Sequence, residues 1–168
     1  NDTVQEVFAL SPTALREAAA RRRGAPDVGS LTVRLPVRRP FDAGSLLAFL
    51  GARAVPGVEA ITDAGYARTM RLPHGHGAVL LEPGDDHVRC RLWLADLRDL
   101  SAAVQRSRRL LDLDADPVAV DTVLGGDPLL APLVAAHPGR RSPGAVDGLE
   151  LAVRAVVGQQ ISVAAARS

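Results

Sequence analysis

The chain has 168 residues, 47% apolar and only 3% aromatic, with twenty basic residues, all arginine, against nineteen acids and a formal net charge of +1. That suffices for a core of Leu, Val and Ala, and the charge is spread evenly (four basic to four acidic residues in 1–30, nine to eight in 31–105, seven to seven in 106–168), which excludes nucleic-acid binding by net field alone. A single cysteine, Cys90, excludes an intramolecular disulfide and a cysteine-cluster zinc site, and with no export signal and no apolar run near about 18 residues the expectation is a cytoplasmic, monomeric protein that enters no membrane.

In chain order, NDTVQEVFALSPTALREAAARRRG opens on a helical face of Val4, Val7 and Phe8. Ser11-Pro12 then reads as an N-cap followed by a first-turn proline, and Ala14–Arg23 continue the helix. An amphipathic helical tail with a solvated Arg21–Arg23 end fits the same residues. Gly24–Ser30 is a linker by composition. The period then changes: Leu31, Val33, Leu35 and Val37 alternate as in a half-buried strand, and Pro36 places it at a sheet edge or near its own end. Asp42–Val55 predicts a helix capped by Asp42, with Leu46, Leu47, Phe49 and Leu50 toward the core. Short extended runs follow at 58–62, 66–72, 77–82 and 87–94, separated by the turn sequences DAG, PHGH and EPGDD. A helix is expected from about Asp96 to Leu111. The span 31–111 is thus an α+β unit, an antiparallel sheet with two helices on one face.

From Asp112 onward the pattern is helical throughout. Asp116-Pro117 starts a short helix that ends at Gly125-Gly126, Asp127-Pro128 repeats the start signal, and Asp147 begins a helix reaching Val157. Gly158 is expected to break that helix by taking positive φ, which glycine adopts without steric cost. Ser162 would cap the next helix. Gln159 and Gln160 would lie at the tip of the turn, which also reads simply as a polar exposed connection.

No stretch declares a catalytic centre. His74 and His76 flank a glycine in a hairpin and lack a third ligand, so an exposed loop is the reading and no metal is expected. Cys90 alternates with Arg89 and Arg91 and reads as a buried structural thiol. EPGDD lacks the spacing of a calcium loop, and VDTVLGGDP that of a phosphate loop. No cofactor is expected.

The stretch VDGLELAVRAVVGQQISVAAAR resembles the first helices of the helical domain in AlkA-type 3-methyladenine DNA glycosylases, of the helix-hairpin-helix glycosylase superfamily. RRPFDAGSLLAFLGARAVPGVE, YARTM and SRRLLDLDADP resemble the preceding domain of that family in order and spacing. Phe8, Ser11-Pro12 and Leu15-Arg16 resemble the end of the second helix-turn-helix of AraC-type activators. Together they are similar to actinobacterial fusions of an Ada-type activator with this glycosylase.

The resemblance implies four parts: a helix-turn-helix tail over 1–23, a linker over 24–30, an α+β domain over 31–111 similar to one half of TATA-binding protein, and the first helices of an all-α glycosylase domain over 112–168. It implies base-excision repair, the removal of alkylated purines such as 3-methyladenine by N-glycosidic hydrolysis, with alkylated double-stranded DNA as partner. The family's catalytic aspartate and hairpin would fall beyond Ser168, so no catalytic residue is assigned and this stretch alone is expected to be inactive. Phe49 matches a position lining the base-binding cleft, although by pattern alone it equally suits a core. Gly158, Gln159 and Gln160 match the loop that enters the minor groove, with Gln160 as the wedge that fills the gap left by a flipped nucleotide. A transcriptional regulator with an α+β sensor domain and no enzymatic activity, and a plain interaction scaffold, are the alternatives.

Overall fold

The computed structural model describes residues 29–159. The expected helix-turn-helix tail, the linker up to residue 28, and the stretch from Gln160 to Ser168, with its wedge and its Ser162 cap, lie outside the described residues. Within them the fold is α+β. Five strands form one antiparallel sheet: β1 (Leu31–Pro36), β2 (Glu59–Thr62), β3 (Gly65–Leu72), β4 (Gly75–Pro83) and β5 (His87–Leu94), in the order β1-β5-β4-β3-β2. Strand β1 lies at an edge, where a proline leaves no inner ladder bond unmade.

Alternation decides which side chains enter the core. Leu31, Val33 and Leu35 of β1 are buried with Val88, Cys90 and Leu92 of β5, Val79 and Leu81 of β4, and Tyr66, Met70 and Leu72 of β3. Two helices cover this face. Helix α1 (Ala43–Ala52) is capped by Asp42, whose carboxylate accepts the Ser45 N–H at 3.0 Å. It buries Leu46 and Leu50. Helix α2 (Leu100–Leu110) buries Ala103, Val104, Ser107 and Leu110.

The single helix expected from Asp96 is in fact a 3-10 turn over Leu97–Asp99 followed by α2. Asp96 closes the turn by accepting the Arg98 N–H at 2.8 Å. Asp99 points inward and accepts the His74 backbone N–H at 3.0 Å, so the chain winds tightly there to reach the β3–β4 hairpin. That hairpin turns on Pro73 and His74, and the glycine expected at its tip, Gly75, opens β4 instead.

Helix α2 ends in a Schellman motif. Asp112 takes φ 53°, its N–H reaches the Arg109 carbonyl at 3.2 Å, and the Leu113 N–H reaches the Arg108 carbonyl at 3.0 Å. Leu113 thereby folds back into the sheet's core, which Val146 also joins. Between them Arg141 is buried beneath the surface. Its guanidinium donates to the carbonyls of Asp112 at 3.2 Å, Ala115 at 3.1 Å and Arg38 at 2.5 Å, tying the segment after β1 to the segment after α2. Gly139 is held close to this junction at φ 74°, where a Cβ would stand 2.3 Å from the Pro40 carbonyl carbon.

Three helices follow: α3 (Pro117–Gly125), α4 (Ala131–Ala136) and α5 (Gly148–Gly158). Asp116 and Asp147 cap α3 and α5 as their sequences predict. Helix α4 begins three residues after the expected Asp127-Pro128 start, because Asp127 caps a preceding turn, accepting from Leu129 N at 2.7 Å. Apart from Pro117, none of these helices buries a residue. Val123 is 76% exposed and Leu129 82%.

Candidate nucleic-acid interface

Helix α1 ends beside a cleft of about 550 Å³, walled on the other side by α5 and lined among others by Phe49, Leu50, Arg53, Val146, Leu151 and Gly158. Phe49 is 42% exposed, which corrects its expected place in the core. Leu46 and Leu50 define the buried stripe of α1, and Phe49 stands about 80° around the helix from that stripe, on the flank that faces the cleft. Its ring is covered by the Arg53 guanidinium, whose central carbon lies 3.7 Å from the ring centroid.

The inner wall is built of charge. Tyr66, Arg68, Met70 and Leu72 share the inward face of β3, so Arg68 enters where alternation places an apolar side chain. It is matched by acids. Its Nη1 lies 3.3 Å from Glu59 Oε1 and its Nη2 2.6 Å from Glu150 Oε2. Arg154, one turn after Glu150, places one nitrogen 2.6 Å from Glu59 Oε2 and 2.7 Å from Glu150 Oε1. The result is a closed ring of four ion pairs. Glu59 also accepts the Tyr66 hydroxyl at 2.5 Å and the Val55 N–H at 2.9 Å. Burial alone would raise the Glu59 carboxyl, but the hydrogen bonds from Tyr66, Arg154 and Val55 outweigh it and hold the carboxyl below its ordinary value of 4.5. Burial and the bond to Glu59 push the Tyr66 hydroxyl up, so it stays a donor.

Gly158 lines the cleft, and Gln159 follows it in the chain. Gly158 closes α5 and is exposed. It does not take the positive φ expected of it: among the described residues that conformation belongs to Gly57, Gly65, Gly139 and Asp112. Gln159 continues in helical geometry at φ −70° and ψ −28°, its N–H reaching the Val156 carbonyl at 3.3 Å. The helix thus ends at Gly158 as expected, but without positive φ, its cap Gln159 keeping helical angles, and nothing lies within 4 Å of a Cβ built at Gly158. Phe49 and Gly158 are brought onto one cleft, Gln159 follows directly, and Gln160 lies outside the described residues.

The remaining sequence candidates fall elsewhere. His74 lies on the hairpin, its Nδ1 2.8 Å from the buried Asp99, and His76 is exposed on β4. No group of three or more His, Cys, Asp or Glu able to hold a metal ion occurs among the described residues. Cys90 is fully enclosed and its thiol is pushed up to about 12 by burial. Of EPGDD, Glu82 and Pro83 end β4 and only residues 84–86 make the turn, closed by Gly84 N donating to the His87 carbonyl at 2.9 Å. Sequence reasoning missed Arg53, Glu59, Arg68, Glu150 and Arg154. Two signals for them were present: an arginine at an inward strand position, and Glu150 with Arg154 four residues on in an otherwise apolar helix.

No helix among the described residues is long and apolar enough to cross a membrane. The sequence matches the family described as the AlkA N-terminal domain over residues 32–147. It is 51% identical over 168 residues to a probable bifunctional transcriptional activator/DNA repair enzyme AlkA of Mycobacterium tuberculosis, covering 99% of this chain and 34% of that protein. It is 40% identical over 131 residues to DNA-3-methyladenine glycosylase 2 of Escherichia coli, covering 76% of this chain and 44% of that one. The chain thus spans a third to under a half of the length of these relatives. The solved structure of a 3-methyladenine DNA-glycosylase from Archaeoglobus fulgidus aligns with a TM-score of 0.68 at 19% identity, over 80% of this chain and 46% of that one, a likeness of fold.

Proposed function

This chain belongs to the AlkA N-terminal domain family, and we propose on that footing that it is the N-terminal part of a DNA glycosylase that removes alkylated purines such as 3-methyladenine by hydrolysing the N-glycosidic bond. The observation that carries the reading is the exposed Phe49 ring on a cleft of about 550 Å³, a volume suited to a small ligand such as a purine. An enzyme that acts on a base must first take it out of the stack. A purine alkylated on a ring nitrogen is cationic, and the face of a phenylalanine attracts a cation while excluding water from it. The same charge makes the base a good leaving group.

In this proposal residues 31–111 and 112–168 serve as the α+β domain and the first helices of the glycosylase domain. Residues 1–23, matched within the bifunctional M. tuberculosis relative, form the end of an activator module joined by the linker 24–30. The apolar faces of α3, α4 and α5 are then the near half of a helical core. Gly158, Gln159 and Gln160 form the edge that meets the minor groove of double-stranded DNA.

The cleft's own carboxylates do not act on the sugar. Glu59 and Glu150 are each held by two arginines, so neither is free to face the positive charge that develops as the base departs. That carboxylate is assigned to the rest of the longer protein. The whole protein should release 3-methyladenine from methylated duplex DNA, the 168-residue chain should release none, and Phe49→Ala should lower release from both duplex and single strands. Wild-type release undiminished by Phe49→Ala would remove the base-binding role, and no release by the whole protein would remove the reading.

A further inference from the structure

We infer that Glu59, Arg68, Glu150 and Arg154 are positioning residues, which set the span of the cleft by locking α5 to the β2–β3 end of the sheet. The inference rests on the reading of the cleft proposed above. Arg68 and Glu59 have side chains only 4% and 6% exposed, so they offer almost no surface to a ligand and act on each other and on α5.

Helix α5 buries no residue. Its least exposed side chains are not its leucines and valines but Glu150 and Arg154. Apolar packing therefore does not fix its axis among the described residues, and directional charge-assisted bonds do. One ion pair would leave a helix free to pivot. Here two anchors stand one turn apart on α5, about 6 Å along its axis: Glu150 meets Arg68, Arg154 meets Glu59, and the two anchors meet each other. That fixes rotation and translation together.

The ring also reaches the aromatic side of the cleft. Arg154 donates from Nη1 to the Arg53 carbonyl at 3.2 Å, and the Arg53 side chain covers Phe49. Four residues beyond Arg154 stands Gly158. The distance between the ring that receives a base and the helix end that approaches the duplex is therefore set through Arg154.

The test has two arms. In the first, the 168-residue chain carries nitroxide labels at Thr32→Cys and Val156→Cys, both exposed positions, while buried Cys90 stays unlabelled. A single narrow distance is expected with the ring intact. It should be lost in Arg154→Met and in Glu150→Gln, and largely regained in Arg154→Lys, which restores the charge. A narrow distance retained in both neutral variants, with unchanged circular dichroism, overturns the inference.

In the second arm the whole protein is assayed on duplex and single-stranded alkylated DNA. Arg154→Met and Glu150→Gln should lower the ratio of duplex to single-strand excision about tenfold, because small misplacements of groups that must act together are costly. Equal loss on both substrates would mean that the ring merely supports folding, and overturns the inference. If the wild-type protein excises from neither, the proposed function fails, and the label distances still decide whether the ring positions α5.

Discussion

Arg68 and Glu150 stand 82 positions apart in the chain and meet at 2.6 Å, one from the inward face of a strand and the other from the first turn of a helix. Arg68, with a side chain only 4% exposed, could not hold its charge there unpaired, because enclosing an unpaired ion costs several kcal/mol. The pair explains why the cleft has a wall. An arginine that would be a fault in the sheet becomes the point where α5 is fastened.

Removing one member should therefore cost more than the pair contributes. Arg68→Met keeps the volume but leaves Glu59 and Glu150 each short of a partner. Unfolding in urea should show a loss of about 3 kcal/mol, the range for breaking one side of a buried pair. An unchanged midpoint and slope would mean that Arg68 is solvated and that the ring is not enclosed.

Acid should undo the same ring. The Glu59 carboxyl is held below 4.5 in the folded chain, so folding favours its charged form. Its contribution is fully present above the unfolded value and is lost as pH falls through the folded one. Above pH 5 the stability gap between wild type and Glu59→Gln should be constant, and below about 4.5 it should narrow. Urea midpoints measured from pH 7 down to 3 on both proteins check this. A gap that widened on acidification would reverse the sign of the argument.

The contrast between the two halves of the fold is measurable. Leu35 is fully buried and Val123 is 76% exposed. Leu35→Ala should cost about 3 kcal/mol from lost burial and the cavity left behind. Val123→Gln should change the stability of this chain by no more than about 0.5 kcal/mol. Differential scanning calorimetry on the three proteins would show it, and a large loss for Val123→Gln would mean that α3 is packed in solution.

On the proposed minor-groove role of Gln160, Gln160→Ala in the whole protein should leave the melting temperature nearly unchanged. Excision from duplex DNA should fall more than from single strands, where the unstacking cost of about a few kcal/mol is mostly absent. A sharp fall in melting temperature with equal losses on both substrates would make Gln160 structural and remove the proposed wedge role.

The sequence by itself determined the elements and their inward faces. Alternation in β1, β3 and β5, the caps Asp42, Asp116 and Asp147, and the turns between strands are local effects, carried by residues two to four positions apart. The α+β class followed from them, and the family resemblance from motifs in the same segments. Only the tertiary structure decided what the charged and aromatic exceptions do. Phe49 shares the period of the core leucines, and whether it is covered depends on what stands 80° around the helix, here a cleft rather than the sheet. Gly158 carries a residue type that permits positive φ, but the backbone needs that freedom at Gly139, where the Pro40 carbonyl leaves no room for a Cβ. Glu150 and Arg154 pair locally, four residues apart on one helix, but no local pattern joins them to Glu59 and Arg68, because opposite charges distant in sequence meet only after the sheet and helices have folded, and the burial of Arg68 and Glu59 is tolerable only once they have met.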